Sequence, residues 1–214
     1  VNRASNIGAS PLYVASERGH TKVVRLILSK SEIDINKAKN DGWTPLLVAS
    51  CKNRVEVVRL LLSKSEIDIN KVVEDGRTAL YTASFEGHVE VVQLLLSKSD
   101  IDINKAKDNG CTALYVASQN GHVEVVRLLL SNSAIDINKA TDIGGAALHI
   151  ASHNNHVEVV ELLLSKSDID INKATKTGCT ALYMASLKGH VEVVRLLLSK
   201  SEIDINKANN EGDT

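Results

Sequence analysis

The sequence predicts an all-α repeat solenoid, and three observations lead to that prediction. A glycine recurs every 34 residues along the 214-residue chain, and the segment Ile-Asp-Ile-Asn-Lys recurs in the same register. Between these markers, each unit carries two short apolar segments with helical spacing. A fixed period of about 20 to 50 residues is typical of stacked arrays rather than of a globule with one central core. The recurring glycines are Gly8, Gly42, Gly76, Gly110, Gly144, Gly178 and Gly212.

The unit at residues 40–73 shows where the first helix of each repeat begins. Asn40-Asp41-Gly42 indicates a turn. Thr44-Pro45 follows, and threonine can cap a helix while proline is tolerated at the first helical position. We therefore predict a helix of about two turns over residues 46–52. It ends at Asn53-Arg54, where the other units carry Gly-His or Asn-His.

The second helix of the same unit is predicted from Val55 to Ser63. Its valines and leucines fall on one face at helical spacing, and its charged residues fall on the other. Helices this short are marginal alone in water, so each must bury its apolar face on a neighbouring repeat. The following segment, 67–70, alternates apolar and polar residues, which predicts a short extended arm.

Composition limits the core and the classes of partner. Hydrophobic residues make up 43 % of the chain and aromatic residues 3 %, so the core must be aliphatic. The net charge of −1 argues against nucleic acid as a partner. No apolar stretch approaches the roughly 20 residues of a membrane-spanning helix. The sparse cysteines Cys51, Cys111 and Cys179 do not suggest a disulfide framework, and we expect free thiols in a reducing, cytoplasmic location.

These motifs resemble the ankyrin repeat. The match consists of Gly-x-Thr-Pro-Leu-x-x-Ala at 42–49, Val-Val-x-Leu-Leu-Leu at 57–62 and Asp-x-Asn at 68–70, and equivalents recur along essentially the whole chain. The resemblance implies two antiparallel helices per repeat, β-hairpin fingers at one edge, and a concave groove formed by the fingers and first helices. It also implies that the repeated asparagine ties neighbouring fingers together, so we interpret the Asp-Ile-Asn-Lys ladder as structural.

Two departures from the family pattern carry structural consequences. The period is 34 residues, whereas ankyrin repeats are usually about 33 residues long. The extra residue follows the second helix, where Ser65 stands in place of the family's glycine. Because glycine ends a helix in a left-handed conformation at little cost, we expect a different and slightly longer helix end here.

The register predicts one array over residues 1–214. Neither end carries a polar capping repeat, which solenoids normally need for solubility, so we hypothesise that the chain is a segment of a longer array. The predicted repeats cover 6–39, 40–73, 74–107, 108–141, 142–175 and 176–209, with partial units at 1–5 and 210–214.

The sequence predicts neither catalysis nor a cofactor. His149 and His153 have the i, i+4 spacing that zinc ligands use on a helix, with His156 nearby. We favour a structural interpretation, because His149 and His156 stand where the family usually has histidine. No phosphate-binding loop, dinucleotide motif or serine nucleophile motif occurs. We therefore predict that the chain is not an enzyme and holds no metal.

Positions that vary between repeats predict the binding residues, because stacking does not dictate them. They lie at the finger tips, after the turn glycine, and at the end of the first helix, which line the groove in ankyrin proteins. Trp43 and Phe85, the only tryptophan and phenylalanine, belong to this set, and tryptophan and arginine are common interface hot spots. The predicted partner-binding residues are Asp41, Trp43, Cys51, Lys52, Glu74, Asp75, Arg77, Phe85, Glu86, Asp108, Asn109, Cys111, Gln119 and Asn120.

The predicted function is a protein–protein interaction module. The acidic residues around Arg77 favour a partner with a basic segment. We expect a monomer, with end-to-end association as an alternative. Three other functions remain open: a structural spacer or self-associating segment, the targeting domain of a larger enzyme or channel, and a designed scaffold. Irregularities such as Asn53-Arg54 argue against design.

Overall fold

The computed structural model describes residues 8–213, which contain twelve α-helices and no β-strand. The predicted partial unit at residues 1–5 and the predicted first repeat boundary at residue 6 lie outside this range. The chain divides into two compact units, Val1–Asp108 (unit 1) and Asn109–Thr214 (unit 2), each consisting of three helix pairs. In residues 8–213, no helix is both long and apolar enough to cross a membrane.

The helices of unit 1 are α1 (Pro11–Arg18), α2 (Thr21–Leu28), α3 (Pro45–Cys51), α4 (Val55–Leu62), α5 (Ala79–Glu86) and α6 (Val89–Leu96). Those of unit 2 are α7 (Ala113–Gln119), α8 (Val123–Leu130), α9 (Ala147–His153), α10 (Val157–Leu164), α11 (Ala181–Lys188) and α12 (Val191–Leu198). Within each unit, successive first helices contact one another, and so do successive second helices. The core between them is aliphatic, as predicted.

The first helices begin as the Thr-Pro signal predicts. Thr44 has an extended backbone, and its Oγ1 accepts a hydrogen bond from the Leu47 N–H at 3.2 Å. Pro45 occupies the first helical position, where no backbone donor is needed. The helix ends at Cys51, one residue earlier than predicted. Thr78, Thr112 and Thr180 cap α5, α7 and α11 in the same way.

The second helices confirm the predicted apolar face, and their ends differ from a glycine cap as expected, but they are not longer: α4 ends at Leu62, one residue before the predicted Ser63. Val57, Val58, Leu61 and Leu62 of α4 are all buried. Ser63 follows in a right-handed conformation, with φ −77° and ψ −7°. Its hydroxyl donates to the Leu60 carbonyl at 2.7 Å, which satisfies a helix-end carbonyl without a left-handed residue. The extra residue lies in the turn that follows and does not lengthen the helix.

The extended arm predicted at residues 67–70 is wrong. The Asn70 N–H donates to Asp68 Oδ1 at 3.2 Å, and the Lys71 N–H donates to the Asp68 carbonyl at 3.4 Å. Aspartate folds the chain in this way because its short side chain can bond to the backbone two residues on. The alternation of apolar and polar residues arises because the turn buries Ile69 and leaves Asp68 exposed.

The finger loops are tight turns without strands in the part of the chain that the structure describes. In the loop Val73–Arg77, the Gly76 N–H donates to the Val73 carbonyl at 2.9 Å, and the Val73 N–H donates to the Arg77 carbonyl at 3.1 Å. Gly76 adopts a φ of 83°, which favours glycine. The Asp108 N–H donates to the Asp75 carbonyl at 3.2 Å, so the backbone itself ties this finger loop to the next.

The repeated asparagine connects neighbouring helix pairs, which confirms its structural role. Asn36 Nδ2 donates to the Glu66 carbonyl at 2.6 Å, and its Oδ1 accepts from the Asp68 N–H at 2.8 Å. Asn138 makes the equivalent two bonds to residues 168 and 170 in unit 2. The bonds reach the turn after the next second helix, and not the finger tips as the resemblance implied.

Candidate functional site

An open pocket of about 560 Å³ lies among the finger loops of unit 1. We call it the Trp43 pocket. Six of the predicted partner-binding residues meet there, although they are spread over more than 60 residues of sequence. The 34-residue period brings them together, because equivalent positions of stacked repeats become neighbours. The lining residues are Asp41, Trp43, Val73, Glu74, Asp75, Arg77 and Asp108.

Trp43 forms one wall of this pocket and is only half-buried. Its side chain packs against Ala9, Tyr13 and Val48, which are buried. The backbone N–H of Trp43 donates to Asp41 Oδ1 at 3.4 Å. The indole therefore has a firm apolar base while part of its surface stays accessible to a partner.

Arg77 covers the Trp43 ring and is held in place by acidic neighbours. Its Cζ lies 5.5 Å from the ring centroid, a cation–π distance. Its Nε donates to Asp75 Oδ1 at 2.9 Å, and Lys107 Nζ lies 3.4 Å from Asp75 Oδ2. Asp75 thus orders the arginine in the absence of any partner.

The electrostatics of the pocket favour ionised carboxylates. Burial by itself would raise the pKa of Asp75, but the hydrogen bond and charge of Arg77, together with Lys107, outweigh it and lower that pKa. Burial likewise opposes ionisation of Asp41, yet the hydrogen bond from Lys39 lowers the pKa of Asp41. The lining residues comprise four carboxylates and one guanidinium, so the pocket carries negative charge near neutral pH.

Four other predicted residues of unit 1 lie outside this pocket, at the ends of first helices. Phe85 is 44 % exposed at the end of α5, with Glu86 exposed beside it. Cys51 is half-buried at the end of α3, where burial raises the pKa of its thiol, and Lys52 is exposed. These residues extend the variable surface from the finger loops onto the helices.

The predicted site residues of unit 2 are placed differently. Asn109, Gln119 and Asn120 are exposed. Cys111, however, is buried, which does not suit a partner-contact residue. Its N–H donates to Asn109 Oδ1 at 3.2 Å, so the residue belongs to the packing of its finger loop. Cys51, Cys111 and Cys179 are not joined by a disulfide bond.

Sequence reasoning missed the residues that flank the finger turns. Lys39 Nζ lies 5.6 Å from the Tyr13 ring centroid and 2.8 Å from Asp41 Oδ2, which makes a second cation–aromatic pair beside the first. Val73 and Lys107 occupy the equivalent position in the next two units. This position also varies between repeats, and it directly precedes the finger-tip positions from which the binding residues were predicted. The same criterion of variation could therefore have identified it.

His149 has a structural role, in agreement with the favoured interpretation. It is buried, and both ring nitrogens are engaged: Nδ1 accepts from the Ala146 N–H at 3.1 Å, and Nε2 lies 2.9 Å from the Lys173 carbonyl. His156 similarly places Nε2 at 2.9 Å from the Gln119 carbonyl. Arg54 stands at the position that His156 occupies in its own repeat. Its Nε donates to the Glu17 carbonyl at 3.0 Å.

Repeated helix pairs joined by tight finger loops define a repeat protein whose exposed loops carry the variable residues. The family model of ankyrin repeats matches residues 1–73, 67–141 and 135–209. The chain therefore belongs to the ankyrin repeat family, which is a general protein–protein interaction module and not a catalytic family. No curated protein matches the sequence.

Solved ankyrin structures share this fold. The ankyrin repeat domain of Bcl-3, described as a unique member of the IkappaB protein family, is 29 % identical with a TM-score of 0.86, over 97 % of this chain and 92 % of that one. The ankyrin repeat protein EF0377 is 28 % identical with a TM-score of 0.83, over 92 % of this chain and 100 % of that one. The ankyrin repeat domain ABAYE2397 from Acinetobacter baumannii AYE is 28 % identical with a TM-score of 0.81, over 88 % of this chain and 96 % of that one.

Proposed function

We propose that this chain binds a protein partner through the finger loops and first helices of unit 1, with the Trp43 pocket as the anchor. The observation that carries the proposal is the Trp43–Arg77 stack, which Asp75 holds in an accessible position. Tryptophan and arginine are enriched among interface hot spots, which cluster in well-packed pockets. Phe85 supplies a second aromatic contact on the adjoining helix surface.

The order of the pocket before binding supports this assignment. Arg77 would otherwise lose rotamer freedom on binding, at about 0.5–1.5 kcal/mol per long side chain. Because Asp75 and the Trp43 ring already fix it, that cost falls mainly on folding. The finger loops that carry these residues are closed by backbone hydrogen bonds, which limits their motion as well.

The charge of the pocket suits a partner segment that carries lysine or arginine. Asp41, Glu74 and Asp108 are exposed at the rim, and Asp75 is half-buried between them. A basic side chain entering between the loops would meet carboxylates on several sides, beside the Trp43 ring that Arg77 covers. Association with such a partner should slow as salt is added, because rim charges act mainly on the association rate.

The proposed location of the chain is the cytoplasm. Three cysteines outside any disulfide bond, of which Cys51 and Cys179 are partly accessible, suit a reducing cytoplasm. We propose that the chain acts there as a non-enzymatic binding module, in which the array presents a surface and the partner carries any chemistry.

The test is a comparison of Trp43→Ala and Phe85→Ala with the unchanged chain. A partner is captured from lysate with the chain as bait and with the triple variant Trp43→Ala, Arg77→Ala, Phe85→Ala as the negative bait. Calorimetry with the purified partner should then show each single variant weakening binding by more than about 1 kcal/mol, or roughly fivefold. Leu187→Ala, which removes an exposed apolar side chain from unit 2, serves as the matched control.

Near-neutral effects of both single variants would refute the assignment of the site while leaving the fold intact. Loss of binding in Leu187→Ala alone would move the contact surface to unit 2. Far-ultraviolet circular dichroism of each variant shows whether the fold is retained.

A further inference from the structure

The turn after each second helix contains two serines that are bonded differently. Ser63 Oγ donates to the Leu60 carbonyl at 2.7 Å, whereas the Ser65 hydroxyl has no hydrogen-bond partner among the described residues. The first serine of all six turns makes the same bond to the carbonyl three residues earlier. The second serine is exposed in all six. We call the second serines the turn serines: Ser31, Ser65, Ser99, Ser133, Ser167 and Ser201.

The turn serines lie at the apex of tight turns. The Ile67 N–H donates to the Lys64 carbonyl at 3.4 Å, so Ser65 and Glu66 are the two central residues of their turn, and both are exposed. Equivalent bonds of 3.2 to 3.4 Å close the other five turns. N–H···O bonds are usually about 2.9–3.0 Å long, so these bonds are weak and the turn can open around its serine at small cost. The hydroxyl is therefore within reach of an enzyme.

Carboxylates follow the turn serines at two fixed positions. An aspartate stands three residues after each of them, which is Asp68 in the case of Ser65. An acidic residue also follows directly in five of the six turns, and Ser133 has Ala134 there instead. Asp68 is exposed and oriented by its own turn, because its Oδ1 accepts from the Asn70 N–H at 3.2 Å. Each turn thus presents an accessible hydroxyl followed by one or two ordered carboxylates.

We propose that the turn serines are phosphorylation sites of a serine kinase that recognises acidic residues after its target. Basic side chains of such an enzyme bind the carboxylates at the first and third positions and so place the serine hydroxyl at the nucleotide. The serine Oγ attacks the γ-phosphorus of ATP, the bond from that phosphorus to the β,γ-bridging oxygen breaks, and ADP leaves with the bonding electrons. The hydroxyl proton passes to the catalytic base of the kinase.

Lysines beside the turn serines give the added phosphate a place to bind. A pocket of about 310 Å³ next to Ser31 is lined by Lys30 and by Lys64 of the following helix pair, with Glu66 as its one acidic residue. The corresponding pocket next to Ser167 has a volume of about 270 Å³ and the same lining. A phosphoserine carries about −1.5 to −2 charges at pH 7, so two lysines against one glutamate favour it. The phosphate on Ser31 would connect neighbouring helix pairs through Lys64.

The test uses the purified intact chain with ATP, Mg²⁺ and a serine kinase that requires acidic residues after its target. Intact-mass spectrometry counts the phosphates, and fragmentation of the intact chain locates them, since several turns have identical sequences. We expect phosphate on the turn serines and none on the first serines of the same turns. Ser133 should react most slowly, because Ala134 removes one of its two carboxylates. A kinase that requires basic residues before its target should transfer far less.

A charge-neutral substitution separates recognition of the carboxylates from mere exposure. Asp68→Asn keeps an oxygen that can accept from the Asn70 N–H but removes the charge, so Ser65 should be phosphorylated about tenfold more slowly. Ser99 of the same molecule keeps both its carboxylates and serves as the internal control.

Three further variants complete the comparison. Ala134→Glu supplies the missing carboxylate and should accelerate phosphorylation of Ser133 by about the same tenfold factor. Ser65→Ala should lower the number of phosphates by one, whereas Ser63→Ala should leave it unchanged. Circular dichroism shows that each variant is folded. No partner protein is needed, so the result is independent of binding at the Trp43 pocket.

Two results would overturn the proposal. If the folded chain accepts no phosphate while the same kinase modifies a synthetic peptide of residues 60–72, the turn is out of reach in the native protein. If Asp68→Asn leaves the rate at Ser65 unchanged relative to Ser99, the carboxylates do not direct the enzyme.

Discussion

At the scale of single residues, buried serines of the first helices lower the stability of this fold, because their hydroxyls have no hydrogen-bond partner among the described residues. The serine of each recurring Ala-Ser pair is buried in five of the six first helices. The hydroxyls of Ser16, Ser50, Ser84, Ser118 and Ser152 have no hydrogen-bond partner among the described residues. A buried hydroxyl without a partner costs about 1–3 kcal/mol. The position tolerates serine because the side chain is small enough for the helices to approach, and alanine would fit there equally well.

Ser118→Ala should therefore stabilise the protein. Removing the unpaired hydroxyl leaves the packing almost unchanged, and we expect the free energy of unfolding to rise by about 1 kcal/mol. Urea unfolding followed by circular dichroism measures this. Ser186→Ala, at the equivalent but exposed position of α11, is the control and should change little. A destabilised Ser118→Ala would show that the hydroxyl is hydrogen-bonded after all.

At the scale of the element, α9 has an unusual N-terminus. Ala146 stands where the other first helices have a hydroxyl residue, so its side chain cannot cap the helix. His149 compensates, because its Nδ1 accepts from the Ala146 N–H while its Nε2 bonds to the Lys173 carbonyl. This arrangement needs the neutral ring, since a protonated Nδ1 cannot accept. Burial lowers the pKa of His149 below 6.5, and the nearby Lys173 charge acts in the same direction, against Asp170 and the hydrogen bonds.

The cap of α9 should make stability depend on pH. In the unfolded chain His149 titrates near 6.5, and in the folded chain it titrates lower, so the unfolded state binds the extra proton between the two values. Its contribution is complete above about pH 6.5 and is lost as the pH falls below that value. The double variant Ala146→Thr, His149→Tyr restores the Thr–Tyr pattern of α7 and α11. Urea unfolding from pH 7.5 to 5 should show a smaller loss in this variant, and equal slopes would contradict the assignment.

The helices were predictable from sequence because their signals are local. A capping threonine, an apolar face and a turn glycine all lie within one repeat, and the boundaries at 45–51 and 55–62 came within one residue of the expectation. The arm at 67–70 was not predictable from periodicity, because an aspartate-centred turn produces the same alternation as a strand. The length of the segment and its hydrogen bonds distinguish such a turn from a strand, whereas the alternation of apolar and polar residues alone does not.

The candidate site was only partly predictable. The period indicated which residues meet, and six of them do line the Trp43 pocket. The pairing of Arg77 with Trp43 and Asp75 depends on side-chain conformations across neighbouring loops, which no sequence pattern encodes. Burial of Cys111 was missed for a similar reason: a variable position was assumed to be a surface position, although variation there reflects packing of the finger loop.

At the scale of the whole molecule, stability depends on where in a stack a residue lies. Each helix pair contacts only its neighbours, so stability is approximately a sum of terms within and between adjacent pairs. An internal residue takes part in an interface that an end residue lacks. The same side chain should therefore contribute differently at equivalent positions, which the isoleucines of the turn after each second helix can test.

Ile171→Ala and Ile205→Ala compare these two situations in unit 2. Ile171 is buried between successive pairs, and its truncation should lower the free energy of unfolding by about 2–5 kcal/mol. Ile205 is exposed, and its truncation should cost less than about 1 kcal/mol. Urea unfolding at low micromolar protein keeps association of chain ends from contributing. Ile137→Ala, another buried equivalent, should behave like Ile171→Ala. Equal costs at 171 and 205 would contradict the nearest-neighbour description, because the exposed residue would then be supported by contacts that the stack does not provide.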